Sequence, residues 1–135
     1  MGVSGCPRSC VESGVKDFGV IGVENGFQLF IGGNGGTDVK EGTLLTTAIT
    51  EEEVIDICGA FLQYYRETGI YAERTAPWLE RLGFEHVQKI LLDPEERKKL
   101  NTRLDEATAG KRQDPWKKVV EDKKAQQELY TVGRV

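Results

Sequence analysis

Two cysteines close to the start of the chain, Cys6 and Cys10, are the residues best suited to chemistry. Pro7 lies between them and restricts the backbone, so a tight turn would hold both sulfurs on one side. The spacing allows three interpretations: thiolate ligands of an iron–sulfur cluster or another metal, half of a zinc site, or two reduced structural thiols. The chain has 3 cysteines, so it cannot complete a cluster that needs four thiolates. The pair therefore indicates a piece of a larger metalloenzyme.

Further metal ligands are scarce in this sequence. His86, the only histidine, falls in a charged helical stretch and is expected at the surface. Cys58 falls on the apolar stripe of a predicted helix, where a cysteine is usually a small core residue. An odd number of cysteines excludes a complete disulfide framework, and nothing marks the protein as secreted. We therefore expect a reducing, cytoplasmic setting.

Length and composition predict an ordinary globular domain. The chain has 135 residues, of which 39% are hydrophobic and 30% charged, enough for one domain with a real core. The net charge of −4 argues against nucleic-acid binding. No apolar run approaches the length of a membrane span, and no signal peptide is visible at the N-terminus.

A β-hairpin is predicted over residues 17–33. The pair Asn25-Gly26 is the strongest short signal for a type I′ hairpin turn, in which both central residues have positive φ. Gly19 and Gly22 interrupt the first strand and have no side chain to pack. Glycines in a strand indicate that another backbone or a flat ligand approaches closely there.

The rest of the chain predicts one more strand and then helices. Residues 44–49 could form the strand, and Thr50 with Glu53 forms a capping box that opens a helix ending at Gly69. The apolar stripe of this helix is Val54, Ile57, Cys58, Phe61, Leu62 and Tyr65. Further helices are predicted over 75–82, with Thr75 as cap and Gly83 as stop, over 84–92, and from the Asp93-Pro94 cap to about residue 110.

These elements predict an α+β domain in which several helices pack on one face of a small, mainly antiparallel sheet. Residues 1–5 are expected to add a strand that leads into the cysteine turn. The run 32–36 is either an anion-binding nest of backbone amides or a plain connector. The large aromatic side chains are expected to be packing residues rather than cofactor contacts: Tyr64, Tyr65, Tyr71, Trp78 and Trp116.

The segment Gly5-Cys6-Pro7-Arg8-Ser9-Cys10 resembles the second cysteine pair of the nitrite and sulfite reductases that contain sirohaem and a [4Fe–4S] cluster. Ligands in that family come as an upstream pair spaced C-x5-C and a downstream pair spaced C-x3-C. The downstream pair is followed, as here, by Lys16-Asp17-x-Gly19, an apolar strand, a return strand and a Gly-Gly-Asn turn. The similarity covers residues 1–92, and the Asp114-Pro115-Trp116 tail resembles the end of the same proteins.

Within that family, the chain is most similar to the C-terminal part of the large subunit of NAD(P)H-dependent nitrite reductases. The resemblance implies that residues 1–110 belong to the sirohaem/[4Fe–4S] domain and that 111–135 form a tail, partly ordered by docking or frayed. It also implies a parent enzyme that reduces nitrite to ammonia in a six-electron reaction. Electrons would come from NAD(P)H through FAD, the [4Fe–4S] cluster and sirohaem.

The same resemblance assigns roles to the cysteine segment. Cys6 would be a cluster ligand, and Cys10 would bridge a cluster iron and the sirohaem iron. Arg8 would lend positive charge to a sirohaem carboxylate or to the reduced cluster. The backbone amides of Arg8, Ser9 and Cys10 would donate hydrogen bonds to cluster sulfurs, which raises the reduction potential.

This sequence departs from the family pattern because the upstream C-x5-C pair and the basic residues that face the anion are absent. We therefore expect the isolated chain to be inactive and to hold neither cofactor. Its expected partners are the rest of the large-subunit chain with the upstream cysteines, a small reductase subunit and nitrite. Two alternatives remain at this point: a sulfite reductase fragment, and a non-enzymatic α+β interaction domain with idle thiols.

Overall fold

The computed structural model describes residues 1–109 and 120–124; Trp116 and most of the predicted tail lie outside them. Contacts divide the chain into two units, Met1–Leu104 and Asp105–Val135. The first unit contains the sheet and nearly all of the helical residues. The elements in chain order are β1 (Gly2–Ser4), a 3₁₀ turn (Ser13–Val15), β2 (Phe18–Val23), β3 (Gly26–Ile31), β4 (Thr43–Ala48), α1 (Glu51–Thr68), α2 (Thr75–Leu82), α3 (Phe84–Leu92) and α4 (Pro94–Ala109).

The sheet confirms the predicted α+β class. Its strand order is β1-β2-β3-β4, and β3 pairs antiparallel with both of its neighbours. β1 pairs with β2 in parallel, so the sheet is mixed rather than purely antiparallel. Parallel neighbours need a crossover connection, and here the crossover is the segment that carries Cys6 and Cys10.

The hairpin is where it was predicted, but its turn is different. Val23 pairs with Gly26, so the two turn residues are Glu24 and Asn25, and neither has a positive φ. The prediction of a type I′ turn centred on Asn25-Gly26 is therefore wrong. Gly26 has a φ of 131°, and a Cβ on it would lie 2.2 Å from the carbonyl oxygen of Ala48. This glycine lets β4 approach the end of the hairpin closely.

Helix ends follow the local signals in most places. Thr50 Oγ1 accepts from the amide of Glu53 at 3.2 Å, and Glu53 Oε2 accepts from the amide of Ile49 at 3.0 Å. Asp93 Oδ1 caps α4 by accepting from the amides two and three residues later, at 2.9 and 3.0 Å. α1 ends at the predicted stop, Gly69. The Thr50 cap and the Asp-Pro cap are thus confirmed, whereas the Glu53 carboxylate reaches back to the amide one residue before Thr50 rather than to that of Thr50 itself.

Thr75 does not have its predicted capping role. α2 begins at Thr75, and its N-cap is Arg74, whose side chain makes no capping hydrogen bond. The Thr75 hydroxyl donates instead to Asp17 Oδ1 at 2.6 Å. A buried hydroxyl beside a carboxylate forms the stronger, charge-assisted hydrogen bond.

The core lies between the sheet and the helices, with Trp78 at its centre. The Trp78 indole is fully buried, makes edge contacts with three aromatic rings and donates from Nε1 to Thr68 Oγ1 at 2.9 Å. Tyr64 and Tyr65 pack against it as predicted, whereas Tyr71 is 100% exposed. The apolar residues around it come from the strands and helices: Phe18, Val20, Leu29, Ile31, Leu45, Ile57, Phe61, Leu79, Val87 and Leu91. Among the helices described, none has the length and apolar character of a membrane span.

Candidate metal site in the cysteine loop

Residues 5–12 form a loop, here called the cysteine loop, between β1 and the 3₁₀ turn. The Ser9 amide donates to the Cys6 carbonyl at 3.1 Å, and the Glu12 amide donates to the Ser9 carbonyl at 2.8 Å. Ser9 Oγ also accepts from the Ser13 amide at 3.1 Å. Ser9 and Glu12 have left-handed backbones, with φ of 48° and 56°, which is costly for residues other than glycine. Consecutive tight turns therefore set the path between the cysteines.

The cysteine loop is held against the sheet at both ends. The hydroxyls of Ser4 and Ser13 are buried and 2.9 Å apart. A Cβ on Gly19 would lie 1.9 Å from the Ser13 carbonyl oxygen, and a Cβ on Gly22 would lie 2.8 Å from that of Gly5. The two strand glycines are thus required by the approach of another backbone, as the sequence predicted.

Cys6 and Cys10 are both exposed and free, and Arg8 between them is also exposed. The structure thus places all three predicted site residues in one loop that is accessible to a metal from solvent. Exposed thiols on a loop fixed by its neighbours can act as metal ligands without rearrangement of the core.

Cys58 lies in the core and His86 at the surface, as predicted. Cys58 is 7% exposed, burial raises the pKa of its thiol, and its Sγ lies 3.9 Å from Met1 Sδ. His86 is exposed, with Nε2 3.2 Å from the hydroxyl of Tyr64. Within residues 1–109 and 120–124, no three His, Cys, Asp or Glu side chains are grouped to hold a metal ion. A closed zinc site therefore has no support in this part of the chain.

The backbone amides of the cysteine loop do not all point outward. The Ser9 amide is occupied by the Cys6 carbonyl, so the expectation that it could donate to a cluster sulfur is wrong. The turn that begins at Cys6 uses this amide for its own i to i+3 hydrogen bond. The amides of Arg8 and Cys10 have no acceptor among the described residues, and they remain suitable donors.

Backbone acceptors for its first three amides favour a connector over an anion-binding nest in the glycine run after β3. The amides of Gly32 and Gly33 donate to the carbonyls of Asp17 and Lys16, both at 3.1 Å, and the Asn34 amide donates to a further carbonyl at 2.9 Å. Amides with backbone acceptors cannot also bind an anion. The run does border a cavity of about 440 Å³ beside the cysteine loop, lined by Ser9, Glu12, Gly14, Val15, Gly35 and Val39. Sequence reasoning missed this cavity because it forms between two segments that are distant in the chain.

Asp17 connects the strand after the cysteine loop to α2. Its carboxylate accepts from Arg74 Nη2 at 2.9 and 3.0 Å and from the Thr75 hydroxyl at 2.6 Å. Burial raises the pKa of Asp17, but the hydrogen bonds from Thr75 and Arg74 outweigh burial, and the pKa is lowered. The group therefore stays ionised and positions the start of β2, which follows the cysteine loop.

Comparison with known proteins also supports the interpretation of the cysteine loop as part of an iron–sulfur site. The model of the nitrite and sulphite reductase 4Fe-4S domain matches residues 1–100. A nitrite reductase [NAD(P)H] of Bacillus subtilis (strain 168) is 54% identical over 130 residues, which is 96% of this chain and 16% of that protein. The nitrite reductase (NADH) large subunit of Escherichia coli (strain K12) is 38% identical over 83% of this chain and 13% of its own length.

A more distant relative is the assimilatory-type sulfite reductase of Nitratidesulfovibrio vulgaris (strain Hildenborough). It is 31% identical over 67% of this chain and 42% of its own length. This chain thus spans only a small part of the nitrite reductases that it resembles. The family model covers the cysteine loop, the sheet and α1 to α3, so its match includes every element that positions Cys6 and Cys10. The chain belongs to the nitrite and sulphite reductase 4Fe-4S domain family.

Proposed function

We propose that this chain is the part of an NAD(P)H-dependent nitrite reductase large subunit that supplies two cysteine ligands to a [4Fe–4S] cluster. The observation that carries the proposal is the cysteine loop, in which Cys6 and Cys10 are both exposed on a turn fixed against the sheet. Four thiolates complete such a cluster, so the other two come from elsewhere in the longer protein. Residues 1–110 then form the cofactor-binding part, and 111–135 its tail.

Each residue of the loop has a role in this proposal. Cys6 and Cys10 would hold the cluster through their sulfurs, and Cys10 would be the ligand that couples it to sirohaem. The cluster and sirohaem supply one-electron transfer to a bound anion when they are present. Arg8 is exposed and lies between the two cysteines in the sequence, and its positive charge would favour the more negative, reduced state of the site. The amides of Arg8 and Cys10 donate to cluster sulfurs and so raise the reduction potential.

Nitrite is the substrate that the comparisons favour for the longer protein. The identity is 54% over 96% of this chain to a nitrite reductase, against 31% over 67% to a sulfite reductase. The proposal also includes FAD and NAD(P)H sites outside this chain, a small reductase subunit as partner and a cytoplasmic location. The upstream part of the same polypeptide is the partner that this chain needs to complete the metal site.

The test is a set of three substitutions in the full-length protein. Cys6→Ser should lose the cluster, with haem loss following from it, and Cys10→Ser should abolish the coupling between cluster and sirohaem. Cys58→Ala should keep both cofactors and lower the free energy of unfolding by about 1–2 kcal/mol, because it trims a buried apolar side chain. Iron content, the visible spectrum and nitrite-dependent turnover distinguish the variants.

Two results would contradict the ligand assignment. One is a Cys58→Ala variant that loses the cluster while Cys6→Ser or Cys10→Ser keeps it. The other is stoichiometric iron and a cluster spectrum in the isolated monomeric chain, which we expect to purify colourless because two thiolates are too few for the cluster.

A further inference from the structure

Ser9 stands out among the residues between the two cysteines because the fold holds its side chain in place. Its neighbours Pro7 and Arg8 are exposed, whereas Ser9 is partly buried. Ser9 Oγ accepts a hydrogen bond from the Ser13 amide at 3.1 Å, so the start of the 3₁₀ turn sets the position of the oxygen. The cysteine loop therefore carries a polar side chain whose location does not depend on solvent.

The hydroxyl of Ser9 still has a proton to donate. A serine hydroxyl carries one proton and two lone pairs, and the Ser13 amide occupies one lone pair. The backbone of Ser9 is fully used, since its amide donates to the Cys6 carbonyl and its carbonyl accepts from the Glu12 amide. The hydroxyl proton has no acceptor among residues 1–109 and 120–124. It is the donor that Ser9 has left.

The surroundings of Ser9 leave room for an acceptor. Ser9 lines the cavity of about 440 Å³ beside the cysteine loop, so its side chain is not packed against protein on every side. Its backbone has a φ of 48°, a costly conformation for serine that proteins keep mostly at functional sites. Glycine adopts such a φ without cost but has no hydroxyl. The strain and the unused proton together indicate a side chain that is kept for its hydroxyl.

We propose that the Ser9 hydroxyl donates a hydrogen bond to a sulfur of the cluster held by Cys6 and Cys10, and so raises the reduction potential of the cluster. This inference rests on the proposed function, because the acceptor belongs to the cluster. Hydrogen bonds to the sulfurs of an iron–sulfur cluster help to set its potential, since they stabilise the more negative, reduced state. The side chain of Ser9 thus does what its amide cannot do, because the turn already uses that amide.

Redox titration and electron–nuclear double resonance (ENDOR) of the full-length large subunit test this role. Ser9→Ala removes the hydroxyl and keeps the Cβ. The equilibrium constant for one-electron reduction of the cluster should fall by roughly tenfold, which is a shift of about 59 mV to more negative potential. Proton ENDOR of the reduced cluster, compared in H₂O and ²H₂O, should lose the signal of one exchangeable proton.

Ser4→Ala is the matched structural control. It removes a hydroxyl that holds the same loop, through the buried contact with Ser13 at 2.9 Å, but Ser4 does not lie between the cysteines. It should lower the urea midpoint and leave the potential and the proton signals unchanged. Ser9→Gly is a second test variant, because glycine accepts the φ of 48° and also lacks the hydroxyl. It should give the same shift as Ser9→Ala.

Three outcomes would overturn the inference and leave the proposed function intact. The first is an unchanged potential with every proton signal retained in both Ser9 variants. The second is an equal shift in Ser4→Ala, which would assign the effect to the seating of the loop. The third is loss of the cluster in both Ser9 variants, which would make Ser9 a residue of cluster assembly. Iron content of the unsubstituted protein and of Cys6→Ser tests the proposed function separately: equal iron in the two contradicts the ligand assignment and, with it, both proposals.

Discussion

Replacement of Gly19 by alanine is the sharpest test of how the cysteine loop is held. The new Cβ would lie 1.9 Å from the carbonyl oxygen and 2.8 Å from the carbonyl carbon of Ser13. Both are backbone atoms of a residue that is 0% exposed, so no flexible side chain can move away. The loop would have to withdraw by about 1 Å or more, against packing that resists added volume.

The magnitude follows from two contributions. Overpacking in a rigid environment costs about 1–3 kcal/mol, and weakening the buried hydrogen bond between Ser4 and Ser13 costs about 1 kcal/mol more. We therefore expect Gly19→Ala to lower the free energy of unfolding by about 2–4 kcal/mol. For a compact unit of the size of Met1–Leu104, about 4–8 °C are lost per kcal/mol, so the unfolding midpoint should fall by about 8–32 °C.

Thermal and urea unfolding of the isolated chain, followed by circular dichroism, measure this effect. Gly14→Ala is the matched control, because a Cβ there meets nothing within 4 Å and the residue follows Ser13 in the 3₁₀ turn. Replacement of a glycine by alanine without steric conflict usually stabilises a protein by about 0.4–1 kcal/mol. If Gly19→Ala unfolds at the same temperature as Gly14→Ala, or later, the loop is not seated on the sheet as described.

Two smaller effects can be measured in the same assays. Thr50→Ala should lower the free energy of unfolding by about 1 kcal/mol, since it removes the acceptor of the Glu53 amide; an unchanged urea midpoint would contradict the capping role. Hydrogen bonds from Arg81 hold the pKa of Glu73 at about 2, below the value of about 4.3 in an unfolded chain. The stabilisation is therefore complete above about pH 4.3 and is lost as the pH falls towards 2. In Glu73→Gln, the free energy of unfolding should depend less on pH in that range than in the unsubstituted chain. Equal slopes of stability against pH in the two proteins would argue against the ion pair.

Local signals were sufficient for much of the fold. Thr50, Gly69 and Asp93 act on amides or carbonyls a few residues away, so their roles can be predicted from sequence. Thr75 could not be assigned in this way, because its partner, Asp17, is distant in the chain and comes close only in the folded protein. The turn at Gly26 differs from the predicted type I′ turn, and here too a distant residue is involved: the carbonyl of Ala48 in β4 limits the space beside Gly26.

The candidate site also has some features that local sequence predicts and others that depend on the folded structure. The pair Cys6 and Cys10 was evident from spacing, and Gly19 predicted the close approach of a backbone. The use of the Ser9 amide within the turn depends on the path of the loop. Leu62, which the sequence predicted in the core stripe, is 47% exposed, because it lies on a side of α1 that does not face the core. Periodicity gives the apolar positions of a helix but does not distinguish core positions from exposed ones.

The left-handed residues of the cysteine loop imply an order of events during maturation. Ser9 and Glu12 hold unfavourable backbone conformations, which persist only when surrounding contacts maintain them. The contacts of Ser9 and Glu12 lie within the loop and the 3₁₀ turn. This segment is anchored at its two ends by β1 and β2, which pair in parallel, whereas the β2–β3 hairpin is local and is expected to form first. The two cysteines then reach their final positions only after β1 has joined the hairpin. If they hold iron as proposed, its insertion would follow folding of this part of the chain, the reverse of a zinc finger, in which the metal drives folding.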